Sequence, residues 1–74
     1  MKIFKIRDMI GTSYELTKGL IPFADTKTGA LISVKTKFIN GASLGLFMSY
    51  YEVEFDNDED ATAFKLANTH FNYI

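Results

Sequence analysis

The chain has 74 residues, a net charge of −1 and no cysteine, with 47% apolar and 15% aromatic residues. It reads as one small domain, residues 1–74, too rich in aromatics to be disordered and without the thiols for a disulfide staple or a thiolate metal site. So short a chain has a marginal core, and its stability must come from dense packing or from burial against a second chain.

Charge is spread unevenly. Residues 1–40 hold seven Lys/Arg against three acids, and residues 41–74 hold Lys65 against six acids. Such asymmetry either marks an interaction face or sets the two halves on different sides of the domain. The opening MKIFKIRDMI is too charged for the apolar region of a signal peptide. The longest uncharged run, residues 38–51, has 14 residues interrupted by Asn40-Gly41, too short to cross a bilayer as a helix. The expectation is a cytoplasmic protein with no membrane contact.

Taken in chain order, KIFKIRD at residues 2–8 reads as a first strand, although Ile3, Phe4 and Ile6 do not alternate cleanly. Residues 8–30 contain three Gly, a Pro and scattered Thr and Asp. They predict loops with short extended pieces around residues 14–16 and 20–23, the second kept off any central strand by Pro22. ALISVKTKFINGASLGLFMSYYEVEF, residues 30–55, predicts a hairpin closed by a type I′ turn at Asn40-Gly41. Closing it there sets Val34 opposite Phe47 and Lys35 opposite Leu46. Alternation then gives a core face of Ile32, Val34, Phe38, Phe47, Tyr51, Val53 and Phe55. The other face carries Lys35 and Lys37 with Leu44, Leu46, Met48 and Tyr50, an apolar row rather than a solvated one. Beyond Phe55 the period becomes helical. Ala63, Phe64, Ala67, His70, Phe71 and Ile74 share one arc, which predicts an amphipathic helix over about residues 57–71. The fold class expected is α+β: a small antiparallel sheet of three to four strands with one C-terminal helix packed on one face.

EFDNDED, residues 54–60, places five acids in seven positions. Asp56, Asp58 and Asp60 have the first spacings of a calcium loop, but Ala61 and Ala67 stand where that loop needs Gly and a bidentate Glu. A helix start accounts for the cluster better, with Asp56 as N-cap, Glu59 three residues on, and the other acids in the first turn where the helix dipole favours them. Glu52, Glu54, Asp56, Asp58, Glu59 and Asp60 together could also form an acidic patch facing a partner. His70 is the one histidine and has no second His or Cys to complete a transition-metal site. Ser13, Ser33, Ser43 and Ser49 lie in no nucleophile elbow, and GASLG lacks the Gly-Lys-Ser/Thr ending of a phosphate loop. No catalysis, cofactor or metal is expected. Lys2, Lys5, Arg7, Lys35 and Lys37 could line one side of a sheet as a weak nucleic-acid surface, but a pI of about 5.7 argues against strong phosphate tracking.

MKIFKIRD and YYEVEFDNDEDATAFKL resemble the opening and closing stretches of small accessory proteins of tailed bacteriophages, which are short, cysteine-poor and strand-first. The likeness covers about a third of the chain and carries no catalytic motif. It implies a phage-encoded protein that lives in the host cytoplasm and acts by binding and inhibiting a host or defence protein. Leu44, Leu46, Met48, Tyr50, Lys35 and Lys37 are the residues expected to bind a partner, and a homodimer across the apolar row is expected with them. An acidic nucleic-acid mimic acting through the six-acid patch, and a weak nucleic-acid binder, are the alternatives.

Overall fold

β3 (Tyr50–Phe55) organises the sheet. Its sequence YYEVEF alternates aromatic or β-branched residues with glutamates, so one face can be buried while the other meets water. It is flanked on both sides, in the order β1-β3-β2 and antiparallel throughout, by β1 (Ile3–Arg7) and β2 (Val34–Ile39). The computed structural model describes residues 2–46 and 48–74. It is an α+β fold in which two helices, α1 (Thr12–Leu20) and α2 (Asp58–Ala67), accompany this three-stranded sheet. The C-terminal tail runs along the outer side of β1. Ile6 and Tyr73 form a single antiparallel bridge, Arg7 N donates to Asn72 O at 2.9 Å, and Ile74 N donates to Lys5 O at 3.0 Å.

The register sets Phe4 and Thr36 opposite Val53, Ile6 and Phe38 opposite Tyr51, and Val34 opposite Phe55. These residues share the covered face. The core is aromatic: the Phe64 ring of α2 lies 5.7 Å from both Phe4 and Phe55, and Phe23 packs edge-on to Phe55 at 5.0 Å. Ile6, Val53, Phe55 and Phe64 are fully buried, each contributing about 1.5–3 kcal/mol by leaving water.

Three sequence expectations are corrected here. Residues 12–20 form a helix, not loops and extended pieces, and residues 21–23 add one 3₁₀ turn. Thr12, Leu16 and Leu20 recur every fourth residue and are buried. Burying two leucines outweighs the roughly 1 kcal/mol that Gly19 costs a helix. Secondly, Asn40-Gly41 closes no tight turn. Residues 40–49 form a ten-residue connection containing a 3₁₀ turn at Ala42–Leu44, and β2 pairs with β3 so that Val34 meets Phe55 and Lys35 meets Glu54. Gly41 has φ −61°, ordinary for any residue. Glycine is required there because a Cβ would overlap the Met48 carbonyl, while Gly45 supplies the positive φ, 72°. Phe47 lies outside the described residues, and Ile32 stands before β2, half exposed. The register shift is an even number of residues, so each strand residue keeps the face alternation assigns it.

Thirdly, α2 starts one residue later and ends four earlier than expected. Asn57, not Asp56, is the N-cap: its Oδ1 accepts from Asp60 N at 2.8 Å, while its Nδ2 donates to Asp60 Oδ2 at 3.2 Å. At the other end Asn68 Nδ2 donates to Phe64 O at 2.9 Å, and Tyr73 Oη donates to Asn68 O at 2.6 Å. These bonds satisfy late carbonyls and stop the helix. The buried positions of α2 are Ala61 and Phe64. Phe71 reaches the core from the segment after the helix, stacked 6.0 Å from Phe64.

Candidate functional site

The aromatic core leaves the β2 side of the covered face thinly packed. Phe38 is 49% exposed and Thr36 is exposed, while Tyr51 is half buried with its ring 5.0 Å from that of Phe38. Above Thr36 and Tyr51 lies an open groove of about 690 Å³. Leu16, Leu20 and Ile21 form one wall, Leu31 and the 24–31 loop form the other, and Thr36 and Tyr51 lie at its base. Ile21 at 64% and Leu31 at 39% exposure bring further apolar surface to the rim.

The 24–31 loop is a built wall. Asp25 Oδ1 accepts from Lys27 N at 2.7 Å and Thr28 N at 3.0 Å, as in an Asx turn. Gly29 N donates to Asp25 O, Asp25 N donates to Ala30 O, both at 2.8 Å, and Ala24 bridges Leu31. The Thr28 and Lys27 amides hold the Asp25 carboxyl below its usual range. This loop therefore stands on its own bonds rather than on core packing.

Beside the groove runs the free edge of β2. Hydrogen-bond direction alternates along an antiparallel strand. Lys5 and Arg7 bond outward to the tail, so Phe4 and Ile6 bond to β3. Glu52 and Glu54 then bond to Lys37 and Lys35 across the β2 side. It follows that Val34, Thr36 and Phe38 turn their N–H and C=O groups away from the sheet. Among the described residues no segment pairs with them. The same three side chains point to the groove side, while Lys35 and Lys37 point to the opposite face.

That opposite face is a lattice of alternating charge. Across the strands run Ile3, Glu54, Lys35 in one row and Lys5, Glu52, Lys37 in the next, followed by Arg7, Tyr50, Ile39. Lys5 Nζ also lies 5.3 Å from the Tyr50 ring centre. The lysines and the glutamates are thus interleaved, and neither forms a single-sign surface here. The six acids expected to make one patch are divided. Glu52 and Glu54 sit in this lattice; Asp58, Glu59 and Asp60 occupy the first turn of α2, with Asp56 just before it. Among the described residues no three His, Asp or Glu side chains converge as a metal ion would require.

Of the expected apolar row, only Tyr50 is on a strand. Leu44, Leu46 and Met48 lie in the 40–49 connection, 63%, 49% and 37% exposed, and so do not form a strand face with Lys35 and Lys37. Strand alternation breaks off there because Gly45 turns the backbone left-handed in the middle of the run. His70 is past the helix, half exposed, with Nε2 3.8 Å from Glu15 Oε2, rather than on the helix's apolar arc. The groove was missed in the sequence because its far wall, α1, was not recognised. Comparison with family models, with characterised proteins and with solved structures yields no match to this chain.

Proposed function

We propose that the chain is a small non-catalytic protein-binding module that takes its partner on the β2 side of the sheet. The observation that carries this is the groove between α1 and β2. It has an ordered loop for a wall, exposed Ile21 and Leu31 at its rim, exposed Phe38 on the same face of the sheet, and beside it a strand edge that no other described residue pairs with. Contiguous apolar surface next to unpaired backbone is the usual mark of a protein interaction site. The carboxylate on the rim, Asp25, is engaged by two backbone amides, which suits a structural rather than an acid–base role. The resemblance to phage accessory proteins supports a host or defence protein as the partner, bound and so inhibited.

The test is capture from a bacterial host lysate by the tagged chain and three variants. Phe38→Glu and Leu31→Glu should lose the captured protein, and Leu66→Glu, on an exposed position of α2, should retain it. Equal capture by all three variants would show that the groove side is not the binding surface.

Self-association is favoured by a separate observation, the exposed Leu44, Leu46 and Met48 of the 40–49 connection. Light scattering should then show a dimer for the wild type and a folded monomer for Leu46→Glu. A monomeric wild type removes this second role.

A further inference from the structure

We infer that the partner is held as an added strand: an extended segment with acidic and apolar residues in alternation, pairing antiparallel with β2. This rests on the protein-binding role proposed above and names the chemistry of what is bound. Three observations converge on it. The outward N–H and C=O groups of Thr36 and Phe38 are the hydrogen-bonding template that an extended chain completes. Thr36 lies at the base of the groove and the exposed Phe38 shares its face of the sheet, so an incoming residue opposite either one points to that apolar side and should be apolar. Residues opposite Lys35 and Lys37 point to the other face, where each row already reads from the centre of the sheet as glutamate then lysine. The next strand continues that alternation only if it brings an acid to each row.

The chain contains its own example of such a segment. β3 sets Glu52 and Glu54 against Lys37 and Lys35 while Tyr51, Val53 and Phe55 pack on the covered face. A partner on the free edge would meet β2 from the other side in the same pattern. A second copy of β2 does not fit as well. In the registers that overlap most of the strand, with Thr36 opposite Thr36 or Lys37 opposite Lys37, lysine meets lysine on the open face. Like charges directly opposite destabilise a strand pair, so the lysines turn self-pairing away and select an acidic strand.

The experiment is fluorescence polarisation on the full chain with labelled peptides in Gly-Ser flanks. One carries Tyr-Glu-Val-Glu-Phe, one Tyr-Lys-Val-Lys-Phe, and one the acidic sequence N-methylated at valine, which removes an amide facing β2. The acidic peptide should bind saturably, and the other two should bind about tenfold more weakly or worse, the change expected from one lost strand hydrogen bond or reversed charge pairs. Lys35→Gln with Lys37→Gln, checked for fold by circular dichroism, should remove most of the preference between acidic and basic peptides. Equal binding of the acidic and basic peptides overturns the charge rule. Unchanged binding of the N-methylated peptide overturns strand addition. If no peptide binds yet Phe38→Glu still abolishes capture of the lysate protein, strand addition is wrong and the binding role stands. If that variant and Leu31→Glu have no effect on capture either, the groove side is not the binding surface and the reading on which this inference rests is wrong.

Discussion

At the scale of single residues, the start of α2 separates two neighbouring polar side chains. Asn57 accepts the Asp60 amide, so Asn57→Ala should lower stability by about 0.5–2 kcal/mol in thermal or urea unfolding, and Asp56→Ala by clearly less. A larger loss for Asp56→Ala would move the cap back by one residue. The acid run showed in the sequence that a helix begins here. It did not show which residue caps it, because Asp and Asn are equivalent caps and the register depends on where β3 releases the chain. Asp25 gives a pH prediction. Its carboxyl is depressed from an ordinary value of 3.8 by the Thr28 and Lys27 amides. The bonds it makes are therefore fully present above that value and are lost as pH falls through the lower folded value. Amide shifts of Lys27 and Thr28 followed from about pH 6 to about pH 2.5 should move together below pH 3.8, and Asp25→Asn should abolish that movement. A common midpoint above 3.8 would contradict the assigned bonds.

At the scale of elements, α1 and α2 meet at Gly19. A Cβ there would lie 2.8 Å from Asn68 Oδ1 and 3.2 Å from Phe64 Cε2. Ala is worth about 1 kcal/mol over Gly in a helix interior. The buried Phe64 ring has little room to give, and displacing the Asn68 side chain breaks its bond to Phe64 O. Overpacking of this kind costs about 1–3 kcal/mol, so Gly19→Ala should be neutral to destabilising by up to about 2 kcal/mol once both effects are combined. A stabilised variant would mean the helices sit further apart. This contact also shows why α1 was not legible in the sequence. Gly11, Gly19 and the threonines read as turn formers, and only the packing of Leu16 and Leu20 into the core makes them a helix. The faces of residues 34–39 and 50–55 were legible, since those follow from alternation; the strand expected through residues 42–48 was not there among the described residues. The connection was not legible, because the apolar 42–48 run carries strand composition while Gly41 and Gly45 impose a loop through a close approach and a positive φ.

At the scale of the whole molecule, the sheet has two unlike sides and two unlike edges. The β1 edge is occupied by the chain's own tail, through Asn72, Tyr73 and Ile74. Among the described residues nothing pairs with the β2 edge, which lies beside a groove with lysines on its far face. The candidate site could not be read from alternation alone, because it depends on which strand is central, and that is decided by β3 carrying both the buried Val53 and Phe55 and the glutamates that lysines on either side can meet. The account's central claim is that the free edge of β2 receives a partner. Amide hydrogen exchange measured residue by residue by NMR tests it most directly. In the free protein the Lys35 and Lys37 amides, bonded to β3, should exchange slowly while those of Thr36 and Phe38 exchange fast. Adding the acidic peptide should slow Thr36 and Phe38 and leave Lys35 and Lys37 unchanged. Thr36 and Phe38 amides as protected as their neighbours in the free protein, or still fast with the peptide bound, would contradict it.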